Sequence, residues 1–435
     1  MGGDDLDLGA AEARVSAVLG DEQATQIVTR FFSELQNRTA RRLADGTVFL
    51  VTGDIPAMWL RDSAAQVMPL IRIGAGPHAE QFAIAVLRRQ LDYILLDPYA
   101  NAFNPEPNGA GHRKDVAEVE RSAWVWERKY EVDSLCYPLL LAYRIWRRYG
   151  RADIFDARFW RAVGRILDTW ETEQDHENRS PYRFRRRRGL RYSTLKRRGL
   201  GPDVTVTGMT WSGFRPSDDP TRYGYNVPGN QFASAVLGRI GEIAEAVDPP
   251  PPPPPELIAR AKRLRAEIDG AIRDHALIDD PITGPRWAYE VDGRGAVLEM
   301  DDANIPSLLA LPLIGYCRAD DPVYLATRTF VLSGRNPCFH RGSAAYGVGS
   351  PHTPRRHIWP IAIAAAALTS CDATEQRAAI DTLLATHAGT TRIHESFHVD
   401  RPTSWTRAWF CWAEAMFCEL VLDYCGFRHA DAEPG

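Results

Sequence analysis

The sequence is poor in the features that mark several large protein classes. Its seven cysteines (Cys136, Cys317, Cys338, Cys371, Cys411, Cys418 and Cys425) include no CxxC pair, and the spacings of a zinc site or a disulfide framework are missing. Most of them fall inside apolar helical patterns, where a thiol packs as a small hydrophobe. No apolar run approaches the roughly 20 residues that a bilayer span needs, so no membrane association is expected. The amino terminus, Met1-Gly-Gly-Asp-Asp-Leu-Asp7, is acidic and polar where a secretory leader would be basic and then apolar. A reducing cytoplasm is the expected setting. A net charge of −4 over 435 residues leaves no basic excess for nucleic acid or anionic lipid. There is no phosphate loop, no dinucleotide-binding glycine cluster, no HExxH and no GxSxG, which argues against nucleotide-dependent, zinc-protease and serine-hydrolase chemistry.

What is present is a chain that is 45% hydrophobic and 10% aromatic, ample for a large core. Apolar residues recur with helical period near residues 11–36, 63–74, 78–95, 131–149, 154–172 and 229–247. The second half repeats this near 256–276, 303–318, 321–332, 357–370, 373–388 and 403–425. Strand alternation is scarce, with short pieces at 47–52 and 287–291 that suit small hairpins. Connections after the even-numbered helices are brief; those after the odd-numbered ones are long and rich in Gly, Pro, Trp, Asp, Glu and His. Twelve helices with alternating short and long connections imply an all-α fold, an (α/α)6 barrel formed by one domain over residues 1–435. Antiparallel neighbours then carry every long loop to one end of the barrel, where a rigid scaffold presents its chemistry.

Two low-complexity stretches interrupt the pattern. Pro249–Pro255 is seven consecutive prolines, an extended polyproline II segment without backbone donors; it reads as a stiff surface connector on the face away from the long loops. The arginine-rich stretch 183–198 reads as a solvated loop, with Tyr182 and Phe184 pointing inward.

The long loops concentrate carboxylates and indoles. The first holds Trp59, Arg61 and Asp62, a flat apolar face beside a guanidinium fork and an acceptor, which is how sugar hydroxyls and C–H faces are read. Asp62 or Ser63 also fits a helix N-cap. The second long loop gathers Glu127, Lys129, Glu131 and Asp133 between aromatics, including Trp124 and Trp126. The third holds Trp211, Arg215 and the pair Asp218–Asp219. Neighbouring carboxylates raise one another's pKa by like-charge repulsion, although a cap or turn role suits such a pair equally well. The fourth supplies Asp302 and Asn304. The fifth supplies His352 behind Gly347 and Gly349, glycines that permit close backbone approach to a ligand. The sixth supplies His394 and Glu395, followed by Arg407. A rim of this composition fits glycoside hydrolysis by paired carboxylates. By itself it names no sugar: another (α/α)6 exo-glycosidase such as an α-glucosidase, or a catalytically silent mannan-binding protein, would carry similar residues.

The stretch Val51-Thr-Gly-Asp-Ile-Pro-Ala-Met-Trp-Leu-Arg-Asp-Ser63 resembles the signature of glycoside hydrolase family 125. The likeness continues through residues 126–134, 210–219, 301–307, 349–352 and 394–397, nearly the whole chain. The resemblance implies an exo-α-1,6-mannosidase that inverts the anomeric configuration, needs neither metal nor cofactor, and takes α-mannoside glycans as its partner. It matches Glu395 to the general base, and Asp218 or Asp219 to the general acid with Asp218 preferred. Arg61 and Asp62 match residues that hold the terminal mannose. The arginine-rich zone departs from the family pattern and borders the third long loop, so the aglycone preference is not carried over. The oligomeric state is not written in the residues; a monomer is expected.

Overall fold

A computed structural model describes residues 8–112, 115–116, 121–186, 194–246, 253–370 and 372–431. Among them are thirteen α-helices. Helices α1 (Gly9–Leu19) and α2 (Glu22–Glu34) precede α3 (Leu60–Ile73), α4 (Gly76–Leu96), α5 (Val132–Tyr149), α6 (Ala157–Glu173) and the single turn α7 (His176–Arg179). Then come α8 (Val227–Ala246), α9 (Pro255–Ala276), α10 (Pro322–Val331), α11 (Pro360–Leu368), α12 (Ala373–Ala385) and α13 (Cys411–Tyr424).

The barrel's inner wall follows from burial. Every residue of α3 from Leu60 to Arg72 is buried, and α5, α8, α11 and α13 are nearly as enclosed. A helix apolar or sequestered on all sides has no solvent face and belongs inside. Helix α3 packs on α5 and α13, α5 on α8, and α11 on α13. The outer helices α2, α4, α6, α9, α10 and α12 bury one stripe each. One continuous apolar core runs from Val15 to Cys425. The architecture is the (α/α)6 barrel, and the long connections do precede the inner elements.

Three expected helices differ. The first is broken at Gly20, whose left-handed backbone (φ 61°) ends α1, after which Asp21 caps α2 by accepting from Ala24 N. Residues 303–318 take the sixth inner position as a series of turns. Pro306 and Pro312 remove two helical donors from this segment, and the buried carboxylate of Asp301 accepts instead from the backbone of Leu308 (2.8 Å) and Leu309 (3.0 Å). The last expected helix begins only at Cys411; Arg401–Thr406 is a strand paired with Ser396–His398, a tertiary pairing that suits its Thr, Ser and Trp residues. Both expected short pieces contain a hairpin strand: Val48–Leu50 pairs with Ala40–Arg42, and within 287–291 Glu290–Val291 pairs with Val297–Leu298.

Within the proline run, residues 249–252 lie outside the described residues. Pro254 precedes α9 and Pro255 is its first residue, where a missing N–H costs nothing. Of the arginine-rich stretch, 187–193 lie outside the described residues. Tyr182 and Phe184 are buried as expected, but Arg186 is not simply solvated: its Nη2 donates to buried Glu127 Oε2 at 2.6 Å.

Candidate active site

Small sheets fasten the loops at the mouth of the barrel. Met58–Trp59 pairs with Ala102–Phe103, which pairs with Val125–Glu127, so the first two long loops share one three-stranded sheet. Gly53 (φ 128°) lies so close to the Trp409 carbonyl that a Cβ would sit 2.3 Å from it. This approach permits Cys411 N to donate to Thr52 O (3.1 Å) and Asp54 N to Trp409 O (3.2 Å), tying the first loop to the start of α13. Ser396 faces Thr406 across the last hairpin, so Glu395 and Arg407, one residue beyond on each strand, come together: Arg407 Nη1 is 3.7 Å from Glu395 Oε1.

These elements enclose a pocket of about 390 Å³ including its open mouth. Three carboxylates reach it, Asp62 from the first turn of α3 and Asp218 and Glu395 from two loops. Arg61 and Arg407 supply cations, and Asn304 and His352 supply neutral or titratable polar groups. Trp59, Trp359, Phe410 and Trp412 supply its aromatic walls. Trp359 and Trp412 stand beside the N-terminal ends of α11 and α13. Sequence reading missed both because an indole in an apolar helical pattern looks like core; their position directly after a long loop was the available signal.

Charge in the pocket wall is dense. Arg61 Nη1 donates to Glu131 Oε2 (2.8 Å) and Asp133 Oδ2 (2.9 Å), with Asp62 at 3.7 Å from its Nε. Burial pushes Asp62 up to about 6, against the pull of Arg61 and Arg407. Burial also raises Glu131 and Asp133, and the Arg61 charge does not offset it. Asp218, which has a left-handed backbone (φ 66°), accepts from Asn101 Nδ2 at 3.1 Å and has Lys129 Nζ at 4.0 Å. Burial opposes its charge, but Lys129, Arg61 and a hydrogen bond with Glu131 outweigh that and hold it well below the usual carboxylate range. The expected like-charge rise within the Asp pair is therefore reversed at Asp218. The two side chains also diverge: Asp218 lines the pocket, whereas Asp219 Oδ1 pairs with His352 Nδ1 (3.0 Å). That contact raises the imidazole above its ordinary value despite desolvation.

Other expected site residues stand behind the wall. Lys129 is buried between Asp218 and Glu127, its Nζ 3.5 Å from the latter. Arg215 Nε donates to Glu290 Oε1 at 2.5 Å. Asp302 accepts from Ser217, Asn304 and Ser350 and so joins three loops. Trp211 and His394 do not line the pocket either. Trp211 is fully buried, stacked 3.6 Å from the His176 ring. His394 stacks on Trp405 at 4.1 Å, its Nδ1 3.2 Å from the Arg407 carbonyl. Ser63 is no cap, since α3 begins at Leu60 and the hydroxyl donates back to Trp59 O at 2.6 Å. Gly349 closes on protein rather than on a ligand, with a would-be Cβ 2.2 Å from the His357 carbonyl.

Carboxylates and guanidinia set among indoles can bind a sugar ring and exchange protons across it. Comparison with known proteins agrees. The profile of the family described as metal-independent α-mannosidases, glycoside hydrolase family 125, matches residues 21–422. A Streptococcus pneumoniae metal-independent α-mannosidase, solved in a non-productive complex with α-1,6-mannobiose, is 46% identical with a TM-score of 0.93, covering 97% of this chain and 98% of that one. The meiotically up-regulated gene 157 protein of Schizosaccharomyces pombe is 36% identical over 391 residues, 86% of this chain and 76% of its own length. A rhamnosidase from Klebsiella oxytoca shares the fold alone, at 14% identity and a TM-score of 0.51 over 92% of this chain and 63% of its own. On this family match over nearly the whole length, joined to the carboxylate pocket, the chain belongs to glycoside hydrolase family 125, the metal-independent α-mannosidases.

Proposed function

We propose that this α-mannosidase is an exo-acting enzyme that removes terminal mannose from α-1,6-linked mannosides with inversion, and that residues 1–435 act as one catalytic domain. The observation that carries this reading is the pocket itself. Asp218 and Glu395 reach it from different loops, and Trp59, Trp359, Phe410 and Trp412 wall it. The mannobiose complex of the pneumococcal relative supports the linkage. Glu395 is the general base that takes a proton from water, with Arg407 Nη1 3.7 Å from its Oε1. Asp218 is the proton donor to the leaving oxygen in preference to Asp219, whose carboxylate is engaged by His352. Because Lys129 and Arg61 favour ionised Asp218, its proton must come from a neighbour or be taken up as sugar displaces water. Arg61, Asp62, Asn304 and Arg407 hold the ring hydroxyls, while Trp59, Trp359 and Trp412 cover its C–H faces. The enzyme is cytoplasmic and monomeric in this reading; five of the six described cysteines are buried free thiols, which suits a reducing compartment.

The test is hydrolysis of α-1,6-, α-1,3- and α-1,2-mannobiose, followed by proton NMR from the first minutes. The α-1,6 isomer should be cleaved fastest and the first mannose released should be the β-anomer. First-formed α-mannose would refute inversion, and faster cleavage of another isomer would refute the linkage.

A further inference from the structure

The two aspartates of the third long loop turn apart at one backbone step. Asp218 has a left-handed backbone (φ 66°). The loop closes around it, with Asp218 N donating to Arg215 O (2.9 Å) and Arg215 N donating to Asp219 O (2.8 Å). Asp218 then lines the pocket, while Asp219 Oδ1 meets His352 Nδ1 at 3.0 Å. The loop that carries His352 is fastened to the loop that carries the aspartates. Ser217 Oγ and Ser350 Oγ both donate to Asp302 Oδ2 at 3.1 Å, and Ser350 Oγ accepts from His352 N at 3.2 Å. One buried carboxylate thus holds the imidazole and the acid loop in a common frame.

Depth orders the groups of the pocket. The side chains of Arg61 and Asp62 are 3% and 6% exposed, and Trp359 and Trp412 are buried with them. Asp218 is 25% exposed and His352 38%. An exo-acting enzyme takes the terminal sugar into the deep end, so the glycosidic oxygen faces outward to Asp218, and the leaving sugar lies beyond. His352 stands on that outer side. Its Nδ1 is engaged by Asp219, which does not line the pocket, so the Nε2 edge is left for the pocket and bonds no described residue. In the neutral Nδ1–H tautomer Nε2 accepts a hydroxyl proton, and in the cation it donates. A sugar hydroxyl suits both states.

A 1→6 linkage makes a contact at this place matter. Its leaving oxygen sits on an exocyclic CH2, which adds a rotatable bond that 1→2 and 1→3 linkages lack. The leaving ring therefore swings about the terminal one unless it is held, and holding it aligns the glycosidic oxygen with the acid. We propose that His352 and Asp219 form the subsite for the leaving sugar: His352 Nε2 hydrogen-bonds one of its hydroxyls, and Asp219 fixes the ring that does so. This rests on the exo reading and on Asp218 as the proton donor. His352 is the group that touches substrate; Asp219 is a positioning residue that acts through it.

The experiment compares kcat/KM on α-1,6-mannobiose with kcat/KM on methyl α-mannoside, for wild type, His352→Ala, Asp219→Asn and the double variant. Both leaving groups are alcohols that need a proton, but only mannobiose has a leaving sugar. In His352→Ala the ratio of mannobiose to methyl mannoside should fall by about 10- to 100-fold, the effect of losing one hydrogen bond to an ionisable group. Asp219→Asn should lower the same ratio by about 3- to 10-fold, and by nothing further where His352 is already Ala, because the pair acts as a unit. An unchanged ratio in His352→Ala would overturn the proposal, whatever the loss of rate on either substrate. A full Asp219→Asn effect added to that of His352→Ala would overturn the pairing. If His352→Ala does not fold, the ratio in Asp219→Asn decides alone. The reading beneath is tested separately, because a missing acid slows both alcohols equally. Equal losses in Asp219→Asn would make Asp219 the acid and sink both levels. Mannobiose hydrolysis retained in Asp218→Asn would sink the acid assignment and leave the His352 ratio as measured.

Discussion

At the residue scale, each pocket side chain acts through the neighbours that set its charge. Glu395 stands beside Arg407, and a carboxylate base contributes only in the transition state. Glu395→Gln should therefore lower kcat on mannobiose by about 10²–10⁴-fold while leaving KM within a few-fold, a split that steady-state kinetics reads directly. An unchanged kcat would move the base elsewhere. Asp62 offers a separate measurement, through stability rather than turnover. Its carboxyl is raised from 3.8 to about 6 in the fold, so the folded state binds that proton more tightly than the unfolded chain. The stability this contributes is fully present below about pH 3.8 and is lost as pH rises through 6. Asp62→Asn removes the titration. Relative to wild type its unfolding free energy should gain about 2 kcal/mol between pH 4 and pH 7, measured by urea unfolding at each pH. A constant difference would show that Asp62 ionises normally.

At the element scale, the most unusual part of the barrel is the turn series at 303–318, which occupies an inner-helix position without being a helix. Its backbone donors depend on side chains. Asp301 receives Leu308 N and Leu309 N, and Asn336 Oδ1 in turn receives Asp301 N and Cys338 N. A helix would satisfy such groups internally; here one carboxylate does it. Asp301→Ala should leave two buried N–H groups unpaired and cost about 2–5 kcal/mol of stability, seen as a lower urea midpoint. Because Asn304 lines the pocket three residues on, KM should rise in the same variant. A stable Asp301→Ala protein with unaltered KM would show that the turns hold themselves.

At the scale of the whole molecule, the barrel's connectivity does the assembling. Each outer-to-inner connection is long, and five of the six, with the helix starts that follow them, deliver side chains to one pocket, while the second stands behind its wall through Lys129 and Glu131. As a member of a metal-independent family, the enzyme should keep its full turnover after dialysis against EDTA; activity lost there and restored by calcium would contradict that. The C-terminal end is also built into the barrel: His429 is buried with its Nε2 2.7 Å from Glu419 Oε2, and Arg72 reaches the Phe427 carbonyl at 3.1 Å.

The alternation of short and long connections and the 3.6-residue periodicity of the outer helices were legible in the sequence because both are local: the first is a matter of length, the second of apolar spacing. The motif residues Trp59, Arg61, Asp62, Asp218, Asn304, His352, Glu395 and Arg407, all of which line the pocket, could be placed at the mouth because loop order alone carries them there. Which way each side chain turns was decided only by tertiary packing. Trp211 and His394 carry the same kind of signal as Trp59, yet each is held against another ring inside the protein. The sign of the Asp218 shift could not be read from its neighbour Asp219, because it is set by Lys129 and Arg61, 89 and 157 positions earlier in the chain. Electrostatics in an enclosed site depends on distance in space and on exclusion of water, and neither quantity exists until the chain has closed on itself.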